Sequence, residues 1–181
     1  MNKQSLRASL ATGVLATSLL ASGAATAAVD MYLKVDGVTG ESQDAKHKGE
    51  MDVLAWSWGQ SVGAITGRGA RPDVCIQNLS LTKYIDSASP DLIMKNLIGE
   101  VARTAVLTIE RPATIGAPSV YLKLTLNNVT VTSYSTGGSG GEDRLTENVT
   151  LKFESMHGIY YPASSAQPVN FDITASAANC R

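Results

Sequence analysis

The fold is decided by the alternating stretch Val29-Asp30-Met31-Tyr32-Leu33-Lys34-Val35-Asp36, which is followed by the turn residue Gly37. Met31, Leu33 and Val35 fall on one face of this stretch, and the residues between them fall on the other. A period of two is typical of a strand with one buried face. The same alternation returns in residues 121–126. The chain is therefore predicted to be built mainly from β-strands.

The sequence predicts further strands on either side of residues 121–126 and after residue 49, rich in Val, Ile, Thr and Leu. They are Glu50–Trp58, Cys75–Tyr84, Arg103–Glu110, Val120–Leu126, Val129–Tyr134, Asn148–Ser155 and Val169–Thr174. In the first of these, the large side chains of Leu54, Trp56 and Trp58 share one face, and we expect this face to pack inward. The small side chains of Ala55 and Ser57, together with Val53, then occupy the opposite face.

One segment has helical rather than alternating periodicity. Ser89 is a candidate N-cap, Pro90 suits the first helical position, and Gly99 can end the helix. Leu92, Ile93, Leu97 and Ile98 recur at helical spacing. A helix this short is not stable alone, so we expect it to dock on the strands. The predicted fold class is mostly β, with two antiparallel sheets forming a flattened β-barrel and one short α-helix.

The first 27 residues are predicted to be a secretory signal peptide. Lys3 and Arg7 precede an apolar run, and Ala25-Thr26-Ala27 offers a cleavage site. The alternatives are a retained membrane anchor and a misassigned start codon. The apolar run is shorter than a bilayer span, which disfavours the anchor. We therefore predict two parts, residues 1–27 as the signal and residues 28–181 as one domain that is secreted to the periplasm or beyond the cell.

Composition disfavours several function classes. The chain has 181 residues and a net charge of −1, so it lacks the basic excess of a nucleic-acid-binding protein. Its two histidines, His47 and His157, have no partner at metal-ligand spacing, and no cofactor is predicted. The loop Gly137–Gly141 lacks the lysine of a phosphate-binding loop. No serine lies in a nucleophile elbow, so no enzyme activity is predicted, although a distant carboxylate pair stays open.

The two cysteines, Cys75 and Cys180, can form a disulfide if the protein is exported to an oxidising compartment. We expect a bridge within one chain, because a single intramolecular partner is present at high effective concentration. A bridge between subunits and two free thiols are the alternatives.

Motifs spread over most of residues 28–160 resemble the Hcp family, the tube proteins of bacterial type VI secretion systems. The residues that carry this resemblance are, in chain order, Ala28–Gly37, Gly40-Glu41-Ser42-Gln43-Asp44, Asp52-Val53-Leu54-Ala55-Trp56-Ser57-Trp58-Gly59, Leu81–Pro90 and Ser135–Val149. The segments Gly67–Val74 and Ala113–Ser119, and the tail after Tyr161, match less well.

The resemblance implies a β-barrel that assembles into homohexameric rings, which stack into a tube. It also implies three kinds of partner, namely VgrG-type spike proteins, sheath proteins, and effector proteins held in the lumen. On this basis Ala55 and Ser57 are expected to face the lumen and its cargo. The expected subunit or ring contacts are Glu41, Ser42, Asp44, Glu142, Asp143, Arg144 and Glu147.

The predicted signal peptide departs from the family pattern, since family members usually lack one. It ends where the ordinary protein starts, immediately before Ala28-Val29-Asp30-Met31. A specialised paralogue that acts as a binding module or effector outside the cytoplasm is therefore the alternative to a tube subunit.

Overall fold

The computed structural model describes residues 29–63, 74–112, 119–141, 143–163 and 167–175. Their elements are β1 (Asp30–Val35), β2 (Met51–Ser57), β3 (Gln60–Val62), β4 (Val74–Ile76), β5 (Leu79–Tyr84), α1 (Ser89–Ile98), β6 (Val101–Arg111), β7 (Ser119–Gly137), β8 (Thr146–Lys152), β9 (Ser155–Tyr160) and β10 (Val169–Thr174). The prediction of a mostly β fold with a short helix is confirmed. Within the described residues, no helix has the length and apolar character needed to cross a membrane.

The barrel closes because the long strand β7 pairs with two partners in succession. Its first part pairs with β6, down to Thr130 opposite Val101, and its second part pairs with β8, up to Gly137 opposite Thr146. Six antiparallel strands therefore form a closed circuit in the order β7-β6-β1-β2-β5-β8. Strands β9 and β10 extend the sheet outward from β7, and β3 pairs with β4 in a separate hairpin.

The sequence predicted two strands with a break near residue 128, whereas the structure has one continuous strand, β7. Asn128 does adopt a left-handed conformation, with φ of 52°, but the strand continues on both sides of it. Asparagine tolerates this conformation better than most residues. The structure further divides the predicted strand Cys75–Tyr84 into β4 and β5, and it contains β3 and β9, which were not predicted.

The core fills the barrel with side chains from alternating strand positions. It includes Leu33, Val35, Met51, Val53, Leu79, Leu81, Leu92, Leu107, Leu126, Val149 and Leu151. In β1 the predicted inward residues Leu33 and Val35 are buried and Met31 is half-buried.

The orientation predicted for β2 is wrong in its first half. Met51 and Val53 point into the core, whereas Leu54 is 41% exposed. A β-bulge between Val53 and Ala55 adds a residue and shifts the alternation by one. Beyond the bulge Trp56 and Trp58 face inward as predicted, although both are only partly buried against the core.

The helix docks through fewer residues than the sequence indicated. Ala88, not Ser89, is the N-cap, and Gly99 ends the helix in a left-handed conformation as predicted. The Ser89 hydroxyl instead accepts a hydrogen bond from the backbone N–H of Asp86. Leu92 is buried, but Ile93, Leu97 and Ile98 are exposed, so most of the predicted docking face lacks a partner among the described residues of the chain.

Candidate functional site

Strands β2, β5, β8 and the second part of β7 form a continuous antiparallel surface, which we call the open sheet. Two rows of residues cross it perpendicular to the strands. One row is Ser57, Ser80, Thr150 and Ser133, and the other is Ala55, Thr82, Asn148 and Ser135. Together they line a shallow groove of about 390 Å³. The predicted lumen residues Ala55 and Ser57 are thus exposed neighbours on one polar surface.

Neither row contains a charged residue. Apart from the Ala55 methyl group, their side chains carry hydroxyls and one amide, and two pairs contact each other across the strands. The Thr82 hydroxyl donates to Asn148 Oδ1 at 2.7 Å, and the Ser80 and Thr150 hydroxyl oxygens lie 3.4 Å apart. Such a surface remains hydrated and offers weak hydrogen bonds, but it has no fixed charge to select a partner.

The buried side of the open sheet contains a charge network one residue beyond the Thr82–Asn148 row. Lys83 Nζ lies 2.9 Å from Glu147 Oε1 and 2.6 Å from Asp86 Oδ1, and it donates to the Tyr84 carbonyl. The exposed fractions of Lys83 and Glu147 are 1% and 0%. The two residues are opposite each other in the β5–β8 register, so the ion pair joins these strands.

Glu147 was predicted to contact another subunit, and the structure contradicts this. Its side chain is enclosed within its own chain, where Glu147 Oε2 accepts a hydrogen bond from the Tyr134 hydroxyl at 2.6 Å. Burial, together with this hydrogen bond, raises the pKa of Tyr134 to about 12. The sequence shows Lys83 and Glu147 only as two distant charges. The signal available was their inward parity, since each lies between apolar residues spaced two apart.

The loop from Gly40 to Gly49 is folded tightly against the barrel. Ser42 is 2% exposed, which removes it as a contact residue and corrects that prediction. A Cβ atom at residue 40 would overlap the Glu50 carbonyl, so the close approach requires glycine. The His47 ring stacks on Tyr32 with centroids 4.1 Å apart and contacts Glu50 through Nδ1 at 2.9 Å.

Two other predicted contact residues of this loop have partners within the chain. Glu41 Oε1 accepts a hydrogen bond from the Ser87 N–H at 3.0 Å, which joins the loop to the start of α1. Asp44 Oδ1 accepts from the N–H groups of Lys46 and His47. These hydrogen bonds, that of Lys46 above all, lower the pKa of the Asp44 carboxyl. Both residues therefore stabilise the shape of the loop, and their role as contacts stays a prediction.

The predicted contact segment near residue 144 meets this loop across a cleft. Arg144 lies over the Tyr84 ring at 4.1 Å, a cation–π geometry, and Asp143 is exposed. The cleft, of about 580 Å³, is lined by Glu41, Gln43, Asp52, Tyr84, Asp86 and Arg144. The structure thus brings together the two predicted contact segments. Glu142 lies outside the described residues.

The open sheet has two edges without a partner strand in the described residues. Strand β1 pairs with β2 only at Asp52 and Met51, so the edge of β2 from Leu54 to Ser57 is free. Strand β6 leaves β7 at Thr130, so β7 has no partner strand from Val131 to Gly137 on the side away from β8, and at the start of this edge the Val131 carbonyl accepts a hydrogen bond from the Asn96 side chain. The sequence analysis missed these edges, because pairing lengths depend on partners distant in the chain.

Other predicted features lie partly or wholly outside the described residues. Cys75 lies half-buried in β4, and Cys180 lies outside the described residues, so the disulfide stays a prediction. The predicted signal peptide also lies outside them. Among the residues that the structure describes, no cluster of three His, Cys, Asp or Glu side chains is arranged to hold a metal ion.

Comparisons with known proteins agree on one family. The family model described as "Type VI secretion system effector, Hcp" matches residues 32–160. Protein hcp1 of Pseudomonas aeruginosa is 50% identical over 139 residues, which cover 75% of this chain and 85% of that protein.

Solved structures support the same assignment. The crystal structure of Hcp1 from Salmonella typhimurium superposes with a TM-score of 0.71 at 32% identity, covering 82% of this chain and 96% of that chain. A type VI secretion system effector from Yersinia pestis gives 0.67 at 29% identity, covering 80% and 99%. The chain therefore belongs to the Hcp family, the tube subunits of type VI secretion systems.

Proposed function

We propose that this protein forms a hexameric ring in which the open sheets of all subunits join edge to edge around a central channel. The observation that supports this is the combination of two uncharged rows on the exposed face of the open sheet with two edges that lack a partner strand. Unpaired strand edges present unsatisfied N–H and C=O groups, which favour pairing with another chain. A ring satisfies the edges of every subunit at once, whereas an open chain of subunits leaves two exposed.

The strand directions suit this closure. The open sheet contains four antiparallel strands, so its two edge strands, β2 and β7, run in opposite directions. When β7 of one subunit lies beside β2 of the next, the new pair is therefore also antiparallel. The same contact can repeat around a symmetry axis without a parallel junction, and the rows that contain Ala55 and Ser57 then line the channel.

The proposed channel would carry effector proteins, with a spike protein of the VgrG type and a contractile sheath as further partners. A surface of hydroxyl and amide groups without fixed charge binds weakly and tolerates different cargo surfaces. This suits a carrier that must release what it holds. The role requires no catalytic residue, and we propose that the protein is not an enzyme.

The remaining predicted contacts belong to the stacking of rings. We propose that the cleft between Glu41 and Arg144, with Asp44 and Asp143 near it, contacts the next ring. Glu142 is retained in this proposal because the sequence places it in the same segment.

We also propose export through the general secretory route, with cleavage after Ala27. The second candidate function, a secreted paralogue that acts as a binding module or effector outside the cytoplasm, is favoured by this sequence feature alone. Intact mass of the exported protein tests the cleavage. A mature species that keeps Lys3 and Arg7 would contradict it.

For the cysteines we propose the intrachain bridge between Cys75 and Cys180, formed when a thiol oxidant of the export compartment takes up two electrons and two protons are released. Non-reducing gels with thiol counting distinguish the alternatives. Covalent multimers would indicate a bridge between subunits, and two titratable thiols would exclude a disulfide.

Electron microscopy and light scattering of residues 28–181 test the ring itself. We expect six-subunit particles with a central hole at micromolar concentration. Strict monomers in both measurements would contradict ring formation and leave the binding-module function.

A further inference from the structure

Helix α1 lies along the part of β7 that has no partner strand. At the start of the helix the Ser89 side chain hydrogen-bonds to Tyr134, and near its end the Asn96 side chain donates to the Val131 carbonyl at 2.8 Å. Seven residues of helix and three residues of strand each span about 10 Å. The helix therefore runs antiparallel to β7. Because Leu92 belongs to the core, the helix lies on the barrel side of the sheet.

Four apolar side chains of the helix are exposed. The exposed fractions are 36% for Ile93, 53% for Met94, 71% for Leu97 and 64% for Ile98. Leu92 already docks the helix on the barrel, so these four residues are not needed to hold it in place. Contiguous exposed apolar surface of this kind is typical of an interaction site.

The contacts of the helix define the direction in which these side chains point. Lys95 faces the turn that follows β1, and Asn96 faces β7. Successive residues of a helix are rotated by about 100°. Ile93 and Leu97 therefore follow Asn96 around the helix and point past the edge of β7, whereas Ile98 lies on the side of Lys95.

The proposed ring places strand β2 of the next subunit beside this edge. That strand runs antiparallel to β7 and hence in the same direction as α1. Its Ser57 end lies near Val131, and its Leu54 end lies toward Gly137. Since Asn96 already occupies the Val131 carbonyl, strand pairing starts beyond this residue. At the Ser57 end the helix, rather than the edge of β7, is what the next subunit meets.

Two tryptophans lie on the barrel side of β2 at this end. Trp56 and Trp58 pack against the core of their own chain but are only half-buried. Two residues apart in an extended chain, they are separated by about 7 Å, and the four-residue step from Ile93 to Leu97 advances about 6 Å along the helix. The two apolar pairs thus agree in the side of the sheet, in direction and in spacing.

We propose that Ile93 and Leu97 of one subunit pack against Trp56 and Trp58 of the next subunit, as an apolar contact that accompanies the pairing of β7 with β2. The inference rests on the proposed ring. The partner is a second copy of this chain because the helix points across the edge at which the next subunit joins. The contact is head to tail, so each subunit contributes its helix to one neighbour and its tryptophans to the other.

This contact supplies something that strand pairing lacks. Backbone hydrogen bonds between strand edges carry little sequence information, and they allow the register to slip. Two aliphatic side chains packed on two indole rings fix one register and exclude water from the junction.

Tryptophan fluorescence tests the contact in the unmodified sequence of residues 28–181. Trp56 and Trp58 are the two tryptophans of the whole chain, so the emission reports on them directly. We expect the emission maximum to move several nanometres to shorter wavelength when dilute monomers assemble into rings. This shift should follow the same concentration dependence as light scattering.

A pair of variants on the same helix tests the direction of the contact. Leu97→Arg places a charge against the indole rings, and we expect it to raise the concentration needed for half-assembly by at least about tenfold. Ile98→Arg is the matched control, because Ile98 is similarly exposed but faces away from β7, and it should leave that concentration unchanged. Both positions are exposed, so both variants should keep the wild-type circular dichroism spectrum. Ile93→Ala, which adds no charge, should raise the half-assembly concentration severalfold.

The outcomes separate this contact from the ring. Wild-type rings with the same emission as monomers would overturn the contact alone. So would Leu97→Arg rings that persist at wild-type concentrations, or an equal loss of assembly in Ile98→Arg. A wild-type chain that stays monomeric would overturn the ring and with it the contact.

Discussion

The two faces of strands β5 and β8 use charge in opposite ways. The buried face contains the Lys83–Glu147 ion pair, although ionised groups are normally found in water. On the exposed face the central residues Ser80, Thr82, Asn148 and Thr150 are uncharged, and Lys152 lies at the end of β8. The charge inside this sheet serves strand register, while the uncharged central rows outside suit a surface that holds partners weakly.

Removing the buried cation should be the most damaging change. Lys83→Met leaves Glu147 and Asp86 without their counter-charge, and breaking a buried pair in this way costs about 3–5 kcal/mol. We expect the free energy of unfolding in urea to fall by that amount. The double variant Lys83→Met with Glu147→Leu should recover a large part of it. A single variant as stable as the wild type would refute the structural role of the pair.

The variant Trp56→Ala tests how much the half-buried residues beyond the bulge contribute to the stability of the fold. A fully buried tryptophan costs about 3–5 kcal/mol when truncated to alanine, and we expect about 2 kcal/mol for Trp56→Ala because its ring is only partly covered. Leu81→Ala, at a fully buried position of the adjacent strand, is the comparison and should cost more. Thermal unfolding of both variants shows which one loses more stability. A larger loss of stability for Trp56→Ala would mean that the Trp56 ring is more deeply buried than the structure shows.

Tyr134→Phe removes one hydrogen bond to the buried carboxylate and should cost about 1–3 kcal/mol at neutral pH. The pKa of Tyr134 is raised to about 12, above the ordinary value of 10.0. A raised pKa means that this residue stabilises the fold fully below pH 10 and that the contribution is lost as the pH rises through about 12.

Stability measured between about pH 9 and pH 12 should therefore fall less steeply in Tyr134→Phe than in the wild type. Burial also raises the pKa of Tyr32 to about 12. Tyr32 therefore adds its own pH dependence of stability, which is the same in the wild type and in Tyr134→Phe. Identical slopes would show that the Tyr134 hydroxyl does not sense Glu147.

Changes on the exposed face should barely alter stability. Ser57→Ala and Thr82→Ala should each shift the free energy of unfolding by less than about 0.5 kcal/mol, as is usual for surface positions. Ser57→Glu should preserve the fold and change cargo retention instead, measured by co-purification of an effector with intact rings. A large loss of stability in Ser57→Ala would mean that this face is packed within the chain.

The sequence determined the local elements well. The alternation in residues 29–36 identifies β1 with its buried face, residues 169–174 match β10, and Gly99 ends the helix where a left-handed conformation is needed. These features depend on side-chain period and backbone freedom, which neighbouring residues set by themselves. The motifs near residues 40–59, 81–90 and 135–149 were also sufficient to identify the family.

Which faces and edges are exposed depends on long-range contacts in the folded chain. The bulge at Leu54 depends on how β2 pairs with β5, so alternation placed Leu54 inside and the structure places it outside. Glu147 was predicted as a surface charge, and the fold buries it by bringing Lys83, distant in the chain, opposite to it. Ile93, Leu97 and Ile98 are left exposed because α1 meets the barrel through its other face, which contains Ser89, Leu92 and Lys95. Each of these outcomes depends on contacts between residues far apart in sequence, and periodicity within a segment contains no information about them.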